Sequence, residues 1–257
     1  MKNNRVHTAI LIIFLFSFLS VIDVRSSEID VKRIVIDPGF GGNKIGAVGC
    51  EKGVYAKDIN LAISIKLSNK LHEAFDVEVF MTRDSDNFVA LEDRVALANK
   101  IEADIFLSIH TNAAEDNRVH GIETYFTNLS KDNNDANIAV TDKASSQEII
   151  HKLQTVLIDL TRANKKSDSL LLAHYVQKSL YDHLDAKYSN INDRGVKQAS
   201  FHTLNGVEMP AITVQPSFIS NPRECNRLLT DEYQTDISEG IANGIKKYIE
   251  ARKAKKE

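Results

Sequence analysis

The segment Ile105-Phe106-Leu107-Ser108-Ile109 is apolar at positions that point to both faces of a strand. Such a strand needs both sheet faces covered, which calls for helices on either side of a largely parallel sheet. The neighbouring segments supply strands and helices in alternation. Arg33-Ile34-Val35-Ile36 is a short β-branched run halted by Asp37-Pro38-Gly39, a strand entering a turn. Residues 58–74 carry Ile59, Ala62, Ile63, Leu67 and Leu71 on one stripe, the pattern of an amphipathic helix. Val77 to Met81 alternates as a second strand, and Leu91 to Ile101 reads as a helix with Leu91, Val95 and Ala98 inward. Ile122 to Thr127 and Ala211 to Val214 are further strands. After Thr230 a last helix places Ile237, Ile241, Ile245 and Ile249 four residues apart. The order predicts an α/β fold: a three-layer αβα single domain with a mostly parallel central sheet.

Residues 128–167 interrupt that order and read as a helical insertion. Asn128 to Asn137 is polar and loop-like, and Ser145 to Leu160 is a helix with apolar Ile149, Leu153 and Val156. Asn164-Lys165-Lys166-Ser167-Asp168 is expected to end it before a separate helix over Ser169 to Leu184.

The first 26 residues read as an export signal and stand apart from the domain over 27–257. Lys2 and Arg5 precede the apolar run ILIIFLFSFLSVI, and Val24-Arg25-Ser26 has small residues at the −3 and −1 positions of a cleavage site. No later segment approaches the ~20 apolar residues of a spanning helix, so no transmembrane helix is expected in the mature chain. A formal charge of −3 gives no electrostatic reason to expect nucleic acid as a partner. The expected location is periplasmic or secreted, where disulfides persist. Cys50, in a Gly-rich loop, and Cys225, after the Ser220-Asn221-Pro222 turn, are candidates for one; two unpaired thiols are the other reading.

Ligand crevices of open α/β sheets lie beyond the carboxyl ends of the strands. Three segments fall there: Asp37-Pro38-Gly39-Phe40-Gly41-Gly42, Ser108-Ile109-His110-Thr111-Asn112 and Val214-Gln215-Pro216-Ser217. With Val54-Tyr55-Ala56-Lys57-Asp58, Met81-Thr82-Arg83-Asp84, Gly121-Ile122-Glu123-Thr124-Tyr125 and Asp193-Arg194-Gly195-Val196, they lie in the order of a known pattern. Over roughly residues 31–250 the chain resembles the zinc-dependent N-acetylmuramoyl-L-alanine amidases of the amidase 3 family. These cleave the amide between the lactyl group of N-acetylmuramic acid and L-alanine of the stem peptide.

The resemblance implies a zinc held by two His and one Glu, with a second Glu as catalytic base. Carried over residue by residue, the first His position is Phe40, the Glu ligand position Ala56, the second His His110 and the base Gln215. Only His110 keeps the family's residue type. A catalytic zinc needs about three protein ligands and an open position. A phenyl ring and a methyl group donate no lone pair, and an amide is no base near neutral pH. No zinc cofactor is therefore expected. Cys50, Glu51, Asp58, His120 and His202 are the candidates for a rebuilt site, and none occupies a family ligand position. His110 alone is most often simply a hydrogen-bonded, neutral imidazole. Asn112 and Arg194 are candidates to line a groove, and Arg83 and Glu123 to support the fold.

The reading that follows is an exported amidase homologue without hydrolytic activity, acting in peptidoglycan binding or in regulating wall remodelling. One alternative is an active amidase with a rebuilt metal site. Another is a protein-interaction module that competes for an amidase activator. The 128–167 segment resembles the insertion of division-associated amidases, where a helix covers the active site until an activator displaces it. The 145–160 helix is then the element for a cell-envelope protein partner.

Overall fold

The computed structural model describes residues 31–127 and 146–254, with residues 146–159 and Arg162 described by backbone only. Residues 1–26, expected from the sequence to be an export signal, therefore lie outside the described residues. Six strands, β1 (Arg33–Pro38), β2 (Glu78–Met81), β3 (Ile105–Ile109), β4 (Ile122–Phe126), β5 (Asp193–Gln198) and β6 (Ala211–Gln215), form one sheet in the order β2-β1-β3-β6-β4-β5. Four of the five pairings are parallel, and β4 runs antiparallel to β6. The carboxyl ends of β1, β3 and β6 and the amino ends of β4 and β5 thus share one edge.

Among the described residues six helices follow in chain order: α1 (Ala56–Ala74), α2 (Leu91–Lys100), α3 (Ser146–Asp185), α4 (His202–Gly206), α5 (Pro222–Leu228) and α6 (Asp231–Ala254). Alternate side chains of each strand serve opposite layers, as the two-residue period requires. Ile34, Ile36, Leu107, Ile212 and Val214 join the apolar stripes of α1, α3 and α6 in the larger core. Val35, Phe106 and Ala211 meet Ala98 of α2 and Leu204 of α4 in a smaller one. The three-layer αβα architecture with a mostly parallel sheet is as the alternation of segments predicts. Among the described residues no helix is long and apolar enough to cross a membrane.

Two sequence expectations are corrected. The polar run Asn164–Asp168 does not break a helix, because α3 is continuous over Ser146–Asp185. The run contains no Gly or Pro, and its polar groups are anchored by tertiary contacts. Lys165 is buried with Nζ donating to the carbonyls of Leu204 and Val207, and Asp168 pairs with Arg252. Leu91 is exposed at the start of α2; Arg94 and Ala98 are the buried residues there. The segment Asp193–Gln198 is an edge strand, although its polar sequence lacks an apolar alternation. The facing of Ile150 and Leu157 lies outside the described side chains, whereas Leu160 is exposed.

Candidate functional site

Asp37, at the end of β1, is 1% exposed and holds the first turn of the shared edge. It pairs with Arg94 at 2.6 Å and accepts hydroxyl bonds from Thr82 and Ser108, each at 2.7 Å. A buried carboxylate survives because all of these donors converge on it. Arg94 also donates to the carbonyls of Pro38 and Phe40, and Arg83 to those of Pro38, Gly39 and Lys57. Burial lowers the Arg83 pKa, and the charge of Arg94 lowers it further. Two arginines therefore fix three successive carbonyls of the turn. That scaffold keeps Phe40 at φ 65°, a left-handed conformation costly for a bulky side chain.

The Phe40 ring meets the His110 ring edge to face, with centroids 5.1 Å apart. The imidazole lies so close over Gly39 that a Cβ there would be 2.3 Å from His110 Cε1. Gly46 closes the far side: a Cβ at that position would meet Phe40 Cδ2 at 2.5 Å and Ala56 Cβ at 2.8 Å. Phe40, Ala56 and His110 are thus one packed group. The His110 backbone N–H donates to Val214 O at 3.0 Å, which sets Gln215 beside it at the end of β6. Burial lowers the imidazole pKa, opposed by Asp37, so the ring is neutral near pH 7.

The next positions along the edge are polar. Gln215 pairs with Glu123 across β6 and β4, and its Oε1 is buried without a partner. Glu123 is a hub: it accepts from Asn112 Nδ2 at 3.0 Å, Tyr125 Oη at 2.6 Å, Lys197 Nζ at 2.6 Å, and Arg194 Nε. Burial alone would raise its pKa, but bonds from Lys197, Tyr125 and Arg194 outweigh that and hold it below the usual carboxylate range. The same carboxylate and burial push Tyr125 up to about 12. Asn112, Glu123 and Arg194 are therefore brought together. Lys197, whose side chain also lies near the Tyr125 ring, is a member that sequence reasoning missed.

The loop from Gly39 to Tyr55 is tied to α5 by a Cys50–Cys225 disulfide, with Cα atoms 5.9 Å apart. Cys50 is thus engaged, and among the other rescue candidates only His202 lines the same cavity as His110. Among the described residues, one trio of His, Asp and Glu has mutually close donor atoms: His183, Asp236 and Glu239, on α3 and α6. Lys187 and Lys70 already pair with its two carboxylates. The described donor set around His110 does not fit a zinc ion, since Phe40 and Ala56 offer no lone pair and no trio among the described residues includes His110.

The sequence profile of the amidase 3 family, described as N-acetylmuramoyl-L-alanine amidase, matches residues 34–247. The chain belongs to that family. It is 32% identical over 237 residues to the amidase AmiA of Salmonella typhimurium, covering 88% of this chain and 79% of AmiA. An N-acetylmuramoyl-L-alanine amidase of Clostridium difficile matches with a TM-score of 0.68 at 30% identity, covering 86% of this chain and 98% of that one. The CwlD amidase of Clostridioides difficile, solved in complex with the GerS lipoprotein, matches with a TM-score of 0.66 at 26% identity, covering 86% and 99%. Against this amidase fold, the Phe40–His110 contact is the feature that bears most on chemistry.

Proposed function

We propose that this amidase homologue binds the cell wall without cleaving it. The observation that carries the reading is the Phe40 ring packed on His110, with the Ala56 methyl closing the same space. The family resemblance assigns Phe40 and Ala56 to two of three metal-ligand positions and Gln215 to the base. One imidazole does not hold zinc against water, and an amide does not activate a water nucleophile. The polar edge of Gln215, Asn112 and Arg194 is the surface that meets peptidoglycan in this reading. Residues 1–26 direct export, the insertion over 128–167 decorates the domain, and the 145–160 helix meets a cell-envelope protein.

The test combines elemental analysis with muropeptide release and co-sedimentation on intact sacculi. The expected result is less than stoichiometric zinc after chelator-free purification, no muropeptide release, and retention by the sacculi. One zinc per chain with muropeptide release would overturn the reading, as would failure to sediment. Restoring Phe40→His, Ala56→Glu and Gln215→Glu together is expected to restore zinc binding, whereas each substitution alone does not, because ligands and base act as a unit.

A further inference from the structure

On the sheet face that α2 and α4 cover only in part, a cavity of about 490 Å³ opens beside His110. Its size lies within the roughly 300–1,000 Å³ of small-molecule pockets. Phe40, Phe88 and Phe201 wall it from three separate loops, joined by Leu91 at the start of α2. Phe88 and Leu91 are 53% and 46% exposed at the mouth, apolar surface that no described neighbour covers. The floor is polar at two points. Thr213 is 2% exposed and lines this cavity. His110, at the end of the adjacent strand, lines it as well.

The charges around the cavity define what that filler is. Asp37 and Arg94 lie in the wall but neutralise one another at 2.6 Å. Lys44 and Glu92 are exposed, of opposite sign, and free to stay in water. Among the described lining residues these four are the only Asp, Glu, Lys and Arg, so no unpaired charge is buried there to repay the desolvation of an ion. We infer that this cavity binds a free, uncharged small molecule with an apolar, ring-sized body and one hydrogen-bonding group that reaches Thr213 and His110. The inference rests on the proposed function in one respect: Phe40 occupies the space in which a metal would compete for His110.

N-Phenyl-1-naphthylamine is a suitable probe, being neutral, aromatic, fluorescent in apolar surroundings and equipped with a single N–H. The purified protein is expected to bind it saturably at one per chain. Phe88→Asp places a charge at the mouth on an exposed position and is expected to weaken binding at least about tenfold. Thr213→Val keeps the shape, removes the hydroxyl, and is expected to weaken it about fivefold. Thermal unfolding of each variant establishes that it is folded. Absence of saturable binding, or unchanged affinity in either folded variant, overturns the inference. Sacculus co-sedimentation is measured in parallel. Probe binding without sedimentation defeats only the wall-binding reading, and sedimentation without probe binding defeats only this one.

Discussion

Burial pushes the Glu224 carboxyl up to about 7, against the backbone N–H groups of Phe218 and Gly121 that donate to it. Its folded pKa thus exceeds the ordinary 4.5, so its contribution to stability is full below about 4.5 and is lost as pH rises through about 7. For His110 the sign is opposite. Burial lowers its folded pKa below the ordinary 6.5, so the unfolded chain binds the extra proton and stability falls as pH drops below about 6.5. The two groups oppose each other over much of pH 4.5–6.5. Removing either one is expected to expose the other. Glu224→Gln should give a protein whose unfolding free energy rises with pH up to about 6.5, and His110→Gln one whose unfolding free energy falls between about 4.5 and 7. Urea unfolding across this range reads the slopes, each at most about 1.4 kcal/mol per pH unit for one proton. Identical slopes in both variants would show that neither group titrates as its surroundings dictate.

The seam between α3 and α6 depends on two glycines. A Cβ at Gly244 would lie 2.5 Å from Val176 Cα and 2.8 Å from Tyr175 O, and one at Gly240 2.9 Å from Leu180 Cα. These are backbone atoms of a helix and do not swing aside as a side-chain tip does. Helix propensity alone favours Gly244→Ala by up to about 1 kcal/mol. Overpacking reverses the sign, and the substitution is expected to destabilise the protein by about 1–3 kcal/mol in denaturant unfolding. A gain in stability would show that the helices separate freely. The same distinction between local pattern and tertiary contact explains what was readable from the sequence. β1, β3 and β6 are covered on both faces and so appear as apolar runs. β5 is an edge strand whose Arg194 and Lys197 side chains serve Glu123, and its polar sequence therefore shows no strand alternation. The Asn164–Asp168 run reads as a break because nothing local reveals that Lys165 serves the carbonyls of Leu204 in α4 and of Val207 just after it, 39 and 42 residues away. At the site, Phe40, His110 and Gln215 stand at strand ends next to turns and draw attention by position. Phe88, Phe201 and Thr213 come from three distant segments with no shared motif, and only the fold assembles them into a cavity.

At the scale of the whole molecule, the Cys50–Cys225 disulfide joins segments 175 residues apart. It ties the loop after β1, which carries Phe40, to α5, which follows the last strand and begins at the Asn221 cap. Both segments lie beyond the carboxyl ends of the strands, so the crosslink closes one side of the site. Few other covalent constraints would act on so long a loop. In the chain-entropy treatment, closing about 175 residues restricts the unfolded chain by roughly 5 kcal/mol, before any cost in the folded state is subtracted. That is a large share of the 5–15 kcal/mol by which ordinary domains are stable. Protein isolated from an oxidising compartment is therefore expected to show no reactive thiol when denatured without reductant. Its denaturant midpoint should drop markedly on reduction, and the Cys50→Ser, Cys225→Ser double variant should match the reduced protein. The double variant separates loss of the crosslink from damage by the reductant, since it responds to neither oxidant nor reductant. Two free thiols in the oxidised preparation, or equal midpoints with and without the crosslink, would show that the packing around β1 and α5 holds this edge without it.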